Sequence, residues 1–376
     1  MEFIDLGAQL ARIRDRVDAR IAKVLTDGKY IMGPEVDEFE RALSAFCGAS
    51  RPALSCSNGT DAISLVLMAR GIGQGDAVFV PSFTFAATAE TVALQKATPV
   101  FVDTLTDTFN MDPESLKQAI IVAKDMGLHP KAVISVDLFG LPADYDAIEL
   151  IAHENGLELI CDAAQGFGGV YKGRAVGTIG LATTTSFFPA KPLGCYGDGG
   201  AVFTGDAELE SIMKSLRVHG KGSDKYDNAR IGLNARLDTM QAAILLEKLA
   251  IFPDEIIKRN VVADRYKAGF ESSNIIQHPQ VPEGCVSAWA QYTLRLPVEK
   301  RDGVSAFLKQ KGIPSVVYYP KPLHQQTAYK HYPKAGSLDV SSTLSQEVLS
   351  LPMHPYLEVT QQDRVIDAVL EAVASV

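Results

Sequence analysis

Three polar side chains that could bind a ligand follow apolar segments in the middle of this sequence. Asp162 comes directly after the apolar run 157–161, so we expect it at the carboxyl end of a buried strand. Open α/β sheets bind ligands at that edge. Ser186 lies near the end of another apolar run, 182–187, and Lys191 follows shortly after it. Taken alone, Asp162 also fits a helix cap or a turn, and a role for Lys191 stays open.

The surroundings of Lys191 differ from those of an ordinary surface lysine. Pro192 follows it, which disfavours a regular helix through this position. The flanking sequence is apolar, and its glycines allow the backbone to approach another group closely. These glycines are Gly194, Gly197, Gly199 and Gly200.

The elements that must position these residues alternate between β-rich apolar runs and helical patterns. This alternation predicts an α/β domain with a mostly parallel central sheet covered on both faces. The strand candidates are 77–80, 99–102, 132–136, 157–161, 182–187 and 201–204, and the helix candidates are 60–70, 88–95, 113–121 and 144–155.

The pattern changes after residue 250. The stretch 237–270 is predicted to be mainly helical, with a break near Phe252-Pro253. Later segments predict a smaller α+β domain, so we divide the chain into a large domain, 1–250, and a small carboxyl-terminal domain, 251–376. The later strand candidates are 290–296 and 313–318, and the later helix candidates are 303–310, 343–349 and 361–374.

Composition excludes several classes of protein. The 376 residues carry a net charge of −9, which disfavours nucleic acid as a partner. The five cysteines are scattered without metal-ligand spacing, so we expect no metal site and a cytoplasmic location. The first residues predict no secretory signal, and no apolar run is long enough to span a membrane. Gly166–Gly169 lacks the spacing of a dinucleotide-binding fingerprint.

Seven sequence blocks, in order and spread over nearly the whole chain, resemble one known family. They are similar to the DegT/DnrJ/StrS family of pyridoxal-phosphate-dependent sugar-nucleotide aminotransferases, which have an aspartate aminotransferase-like fold. The blocks are GKYIMGPEVDEFE (28–40), CSNGTDAI (56–63), PSFTFAATAE (81–90), CDAAQGFGG (161–169), SFFPAKPLGCYGDGG (186–200), GLNARLDTMQAAI (232–244) and YYPKPLH (318–324).

The resemblance implies that Lys191 and Asp162 are the catalytic pair. They stand 29 positions apart, as in the family pattern. Lys191 is implied to form an imine with the pyridoxal phosphate aldehyde and then to carry protons, with pyridoxamine phosphate arising during turnover. Asp162 is implied to pair with the pyridine nitrogen. Gln165 is implied to reach the cofactor's phenolic oxygen or phosphate; the alternative is a polar residue on a helix face.

The remaining implied cofactor contacts lie in four segments. Gly59 and Thr60 at a predicted helix start, with the Ser186 hydroxyl, would bind the phosphate; a plain helix cap is the alternative. Phe85 would stack on the pyridine ring, or else pack in the core. Asn234 matches a family segment that crosses to the neighbouring active site, which implies a homodimer with shared sites.

Six residues match positions that line the family's substrate pocket. Arg236 would bind a carboxylate or phosphate, with a structural ion pair as the alternative. Spacing alone would place Tyr319 at an ordinary strand end. The six are Tyr30, Met32, Gly33, Arg236, Tyr319 and His324.

The reaction implied by the resemblance transfers the amino group of L-glutamate to a nucleotide-linked keto-sugar. Similarity through several blocks favours position 3 of UDP-2-acetamido-2-deoxy-3-oxo-glucuronate, for a surface polysaccharide such as the O-antigen of lipopolysaccharide. The alternatives are a 3-keto or 4-keto 6-deoxy sugar on dTDP or UDP, and a regulatory relative without turnover. Lys191 argues against related dehydratases, which have histidine there.

Overall fold

The computed structural model describes residues 1–48, 50–224 and 226–375. The helices are α1 Leu6–Asp27, α2 Pro34–Phe46, α3 Gly59–Ala69, α4 Ala87–Leu94, α5 Pro113–Asp125, α6 Tyr145–Glu154, α7 Ala207–Leu216, α8 Thr239–Phe270, α9 Val298–Gln310, α10 Asp339–Glu347 and α11 Val359–Ser375. The strands are β1 Ala53–Cys56, β2 Asp76–Pro81, β3 Thr98–Val102, β4 His129–Val136, β5 Glu158–Asp162, β6 Val170–Tyr171, β7 Arg174–Ala175, β8 Ala182–Ser186, β9 Gly200–Thr204, β10 Cys285–Val286, β11 Tyr292–Arg295 and β12 Val348–Leu351. Short 3-10 helices cover Leu138–Gly140 and Leu323–Gln325.

A seven-stranded sheet forms the centre of the molecule, in the order β1-β9-β8-β5-β4-β2-β3. The pairs from β8 through β3 are parallel, and β9 is antiparallel to both of its neighbours. The inner strands β2 and β5 are almost wholly buried, and so are residues 132–136 of β4, as expected for a sheet covered by helices on both faces. The mostly parallel α/β fold predicted from the sequence is therefore confirmed.

Parallel register brings the carboxyl ends of β4, β5 and β8 together. Val136 in β4 pairs with Asp162 in β5, and Asp162 pairs with Thr184 in β8. The chain segments that follow these strands therefore emerge side by side at one edge of the sheet.

The predicted helix break near Phe252-Pro253 is wrong, because α8 continues through Pro253 to Phe270. Proline removes one backbone hydrogen bond, but packing of the helix compensates for that loss. Phe252 is fully buried, and its ring stacks on that of Phe167 with 5.9 Å between centroids.

Two further predictions near the carboxyl end are wrong. Residues 313–318 form no strand, because only Val316 of that segment pairs, through a single bridge to Ser350. The helix predicted over 343–349 ends at Glu347, and Val348–Leu351 instead form β12 paired with β11. Cross-strand packing of these buried residues stabilises the strand more than their helix-like spacing of apolar residues stabilises a helix.

Separate hydrophobic cores lie along the chain. One cluster draws its buried members from 262–373, and another joins α2, β9 and the first half of α8. The domain boundary at residue 250 stays a prediction. Within the described ranges, no helix combines the length and apolar character needed to cross a bilayer.

Replacing Phe252 with alanine tests the packing that keeps α8 continuous. We expect Phe252→Ala to lower the free energy of unfolding by about 3–5 kcal/mol, because it leaves a cavity beside Phe167 and Phe46. Chemical denaturation followed by circular dichroism measures this. Exposed Leu150→Ala serves as the control and should change stability by less than about 0.5 kcal/mol. Equal effects of the two substitutions would contradict the assignment.

Candidate active site

Asp162, the last residue of β5, provides a buried carboxylate at the carboxyl edge of the sheet. Its Oδ2 accepts a hydrogen bond from Thr88 Oγ1 at 3.0 Å, and its Oδ1 accepts one from the Ala164 N–H at 3.1 Å. Burial raises the pKa of Asp162, while the Ala164 N–H, the positive charge of Lys191 and the Thr88 hydroxyl oppose that rise. The carboxylate is therefore oriented by protein donors on two sides.

Lys191 lies in the loop that connects β8 with β9. Its backbone N–H donates to the Phe188 carbonyl at 2.8 Å, which closes a tight turn after β8. The residue keeps partial solvent access, yet burial of its ammonium lowers the pKa of Lys191, and the charge of Asp162 only partly counteracts this. In the described part of the chain, the side-chain nitrogen has no hydrogen-bond or ion-pair partner. Lys191 is thus a desolvated amine available for chemistry.

The start of α3 meets the end of β8. Asn58 caps the helix by accepting from the Asp61 N–H at 2.8 Å. A Cβ atom added to Gly59 would lie 2.7 Å from the Cβ of Ser186, so glycine is required for this approach. The site therefore combines helix N–H groups with the hydroxyls of Thr60 and Ser186, a set suited to an anion.

Phe85 exposes 58% of its surface, so the alternative of core packing is wrong. It belongs to the segment that leads into α4, and Thr88 in the first turn of that helix donates to Asp162. An open aromatic face is therefore available in the segment that also orients the carboxylate.

Gln165 and Tyr319 are brought together from distant parts of the chain. Gln165 Oε1 accepts from the Phe139 N–H at 2.7 Å, and Nε2 donates to the Tyr319 hydroxyl at 3.1 Å. Gln165 is buried in a turn after β5, so it is not a residue on a helix face. Tyr319 lies outside any strand. The cofactor contact of Gln165 stays a prediction.

His324 is held at the carboxyl end of β2. Its Nδ1 lies 2.6 Å from Ser82 Oγ, and its Nε2 lies 3.4 Å from Ser342 Oγ. Burial is the main cause that lowers the pKa of His324, and the charge of Lys334 lowers it further. Its predicted contact with substrate stays a prediction.

The remaining predicted residues form a separate group beside the start of α8, in which Gly33 is buried and Arg236 is partly exposed. The Gly33 N–H donates to Thr239 Oγ1 at 2.9 Å, and Tyr30 and Met32 nearby are exposed. Arg236 donates to the side chain of Asn234. Among the described residues Arg236 forms no ion pair, and no hydrogen bond or ion pair joins the group to Lys191 or Asp162. Both roles considered for Arg236 stay predictions.

Known proteins are similar to this chain along almost its full length. Residues 11–370 match the model of the DegT/DnrJ/EryC1/StrS aminotransferase family. The chain belongs to this family. The UDP-2-acetamido-2-deoxy-3-oxo-D-glucuronate aminotransferase of Pseudomonas aeruginosa is 47% identical over 98% of this chain and 99% of its own.

Solved structures agree with this family membership. A DegT/DnrJ/EryC1/StrS aminotransferase from Brucella abortus is 54% identical, with a TM-score of 0.96 over 99% of each chain. NtdA from Bacillus subtilis, solved with the bound cofactor PMP, is 30% identical, with a TM-score of 0.88 over 96% of this chain and 82% of that one. The structure of this family member is therefore a pyridoxal-phosphate transferase fold.

The residues of this family member fit pyridoxal phosphate. Lys191 offers an amine that no side chain or backbone group of the described residues binds, and Asp162 offers a buried carboxylate for a ring nitrogen. Phe85 offers an exposed ring, and the contact of Gly59 with Ser186 brings helix N–H groups beside a hydroxyl. An amine, a carboxylate, a ring face and an anion site match the four parts of that cofactor.

Asp137, which lies beside Asp162, was not predicted from the sequence. The Asp137 N–H donates to the Asp162 carbonyl at 3.0 Å, and Asp137 Oδ1 accepts from the Ala143 N–H and the Tyr145 hydroxyl at 2.9 and 2.5 Å. Its Oδ2 is buried without a partner, and burial raises the pKa of Asp137 to about 7. Its position directly after an apolar run, like that of Asp162, was the available signal.

Changing Asp137 to asparagine should alter how stability depends on pH. A native pKa of about 7 against an unfolded value near 3.8 means that the folded state keeps this proton while the unfolded state releases it. This group's contribution to the free energy of unfolding therefore falls between pH 4 and 7, by on the order of 1 kcal/mol per pH unit. Asp137→Asn should remove that decline, as measured by denaturation from pH 5 to 8.

The matched control for this experiment is Asp125→Asn, at an exposed position on α5. Its stability should follow that of the unmodified protein at every pH. If Asp137→Asn also follows the unmodified protein in parallel, the proton assigned to Asp137 is refuted.

Proposed function

We propose that this protein is a pyridoxal-phosphate-dependent aminotransferase that moves the amino group of L-glutamate to the ketone of a nucleotide-linked keto-sugar. The observation that carries this proposal is the desolvated amine of Lys191, which has no hydrogen-bond or ion-pair partner among the described residues and acts electrostatically on the buried Asp162. Perturbed groups of opposite sign at a sheet edge are a typical feature of catalytic sites. Membership of an aminotransferase family supports the same reaction.

Lys191 supplies the amine that binds the cofactor and moves protons. Pyridoxal phosphate, when bound, supplies a conjugated ring that takes up the electron pair left when the amino-bearing carbon loses its proton. The lowered pKa of Lys191 makes its neutral amine accessible, so the nitrogen can accept a proton and return it. Asp162 would hold a proton on the ring nitrogen, and Thr88 and Ala164 keep its two oxygens oriented.

The other cofactor residues bind and orient. Gly59 and Thr60 at the start of α3 would bind the phosphate through their N–H groups, and Ser186 would add a hydroxyl. Phe85 would stack on the ring. Gln165, which donates to the Tyr319 hydroxyl, would bind the phenolic oxygen or the phosphate of the cofactor.

The group formed by Tyr30, Met32, Gly33, Asn234 and Arg236 acts in the active site of a second copy of the chain. Two observations support a homodimer with shared sites. Tyr30 and Met32 are large apolar residues exposed by 51% and 38%. Asn234 and Arg236 are linked to each other and have no bond to the catalytic pair of their own chain. Asn234 then binds the cofactor phosphate of the partner, and Arg236 binds a carboxylate or phosphate of the substrate.

The sugar is UDP-2-acetamido-2-deoxy-3-oxo-glucuronate, aminated at position 3. This assignment rests on the relative from Pseudomonas aeruginosa, which is 47% identical over the full length. Tyr319 and His324 line the sugar side of the site. The enzyme works in the cytoplasm, and its product serves a surface polysaccharide such as the O-antigen of lipopolysaccharide. A large domain, 1–250, holds the cofactor, and a small domain, 251–376, covers the site.

A donor and acceptor screen tests the proposal. Purified protein with pyridoxal phosphate and L-glutamate should form 2-oxoglutarate when the acceptor is the UDP-linked 3-oxo-glucuronate. Turnover with 6-deoxy keto-sugars on dTDP or UDP should be at least about 10-fold slower. Lys191→Ala should lower kcat by about 10³-fold or more, because it removes the proton carrier. The control is Lys309→Ala, at an exposed position of α9, which should leave kcat unchanged. Full turnover by Lys191→Ala would refute the mechanism, and preference for a 6-deoxy sugar would refute the substrate.

Asp162→Asn tests the role of the carboxylate. The amide keeps the shape but cannot hold a proton on a ring nitrogen, so both half-reactions should slow by about 10²-fold or more and the affinity for cofactor should fall. Stopped-flow absorbance with L-glutamate and with the keto-sugar measures the half-reactions separately. Thr88→Val, which removes only one donor to Asp162, should have a smaller effect in the same direction. An effect confined to sugar affinity would contradict the assigned role.

A further inference from the structure

A lysine lies fully buried in α8, outside the set of residues that contact cofactor or substrate. Lys248 has no exposed surface, and its neighbours Leu245 and Leu249 belong to a hydrophobic core. Burial of an ammonium group is costly unless the group is paired and hydrogen-bonded. Lys248 Nζ donates to the Gly194 carbonyl at 2.6 Å and lies 4.3 Å from the centroid of the Tyr196 ring.

The carbonyl that Lys248 binds belongs to the loop that carries Lys191. Among the described residues, no backbone N–H donates to the Gly194 carbonyl, so Lys248 is its partner. A Cβ atom at Gly194 would lie 2.6 Å from the Phe188 carbonyl oxygen, and that same oxygen accepts the Lys191 N–H. A short chain of contacts therefore leads from Lys248 through Gly194 and Phe188 to the backbone of Lys191.

Gln241 binds the same loop two helical turns earlier. Its Oε1 accepts from the Tyr196 N–H at 2.9 Å, and its Nε2 lies 3.4 Å from the Tyr196 carbonyl oxygen. Gln241 and Lys248 are seven residues apart, so they lie on one face of α8. Together they supply hydrogen-bond partners for backbone groups of residues 194–196.

We propose that Lys248 and Gln241 are positioning residues, which fix the loop 187–199 on α8 so that Lys191 is directed toward Asp162. Neither residue touches the reacting atoms. The proposal rests on the function proposed for Lys191 and extends it to the groups that hold this residue in place. A small displacement of a catalytic group lowers the rate strongly, so loss of either contact has a large effect on kcat.

The charge of Lys248 fits this role. Burial lowers its pKa to about 8, and Glu255 and Cys195 are the charged and titratable groups that oppose the shift. The nitrogen carries a proton at neutral pH and can still donate a hydrogen bond as a free amine. The contact with Gly194 therefore does not depend on full ionisation.

The experiment compares Lys248→Met and Gln241→Leu in the full-length chain. Hydrogen–deuterium exchange of the cofactor-free protein should show at least 10-fold faster exchange in peptides covering 187–199. With cofactor bound, kcat should fall at least 10-fold, while KM for glutamate and sugar stays within about 2-fold. Lys248→Met should unfold at a lower denaturant concentration, because it leaves the Gly194 carbonyl without its hydrogen-bond donor, so kcat is compared at a temperature where both variants are folded.

Two variants serve as controls. Lys267→Met makes the same substitution at an exposed position near the end of α8, and should leave exchange and kcat unchanged. Gln241→Glu keeps the acceptor for the Tyr196 N–H, and should recover part of the kcat lost in Gln241→Leu. If Lys248→Met does not fold, Gln241→Leu against Gln241→Glu decides the result alone.

Unchanged exchange and kcat in the folded variants would overturn the proposal. Exchange is measured without cofactor or substrate, so this outcome is distinct from failure of the proposed function. That function fails when Lys191→Ala keeps its turnover, whatever the exchange of the loop.

Discussion

The opposed effects of burial on one carboxylate and one amine are the constraint on which this structure depends. Desolvation raises the pKa of Asp162 and lowers that of Lys191, and their mutual attraction limits both shifts. The two groups must therefore lie close enough to interact and deep enough to be perturbed. The parallel register of β4, β5 and β8 provides this placement, because it brings the residues that follow these strands to one edge of the sheet.

The antiparallel strand β9 gives the loop of Lys191 its shape. The chain leaves β8 at Ser186 and must return into β9 at Gly200, directly beside its starting point. A Cβ atom at Gly200 would lie 2.4 Å from the Asn58 carbonyl oxygen, so the return also fixes the loop against the start of α3. The amine and the proposed phosphate site are thus held by a common set of close backbone contacts.

Residues near their own strand could be predicted from the sequence, and residues brought together over long distances could not. Asp162 was predictable because it ends an apolar run. The irregular backbone around Lys191 was predictable because glycines follow that residue. The bond between Gln165 and Tyr319 joins residues 154 positions apart, and no local pattern encodes it. The helix break predicted at Pro253 was wrong because the lost backbone hydrogen bond is a local effect. The packing of Phe252 on Phe167 and Phe46 outweighs that loss, and both partners are distant in sequence.

The continuity of α8 has a thermodynamic consequence. Its first half contributes Leu245 and Phe252 to one hydrophobic core, and its second half contributes Tyr266 and Phe270 to another. The 32 residues of this helix span about 48 Å at the usual rise per residue. Because one continuous helix packs into both cores, unfolding of either core removes contacts from a helix that the other core contains, and α8 couples the stability of the two.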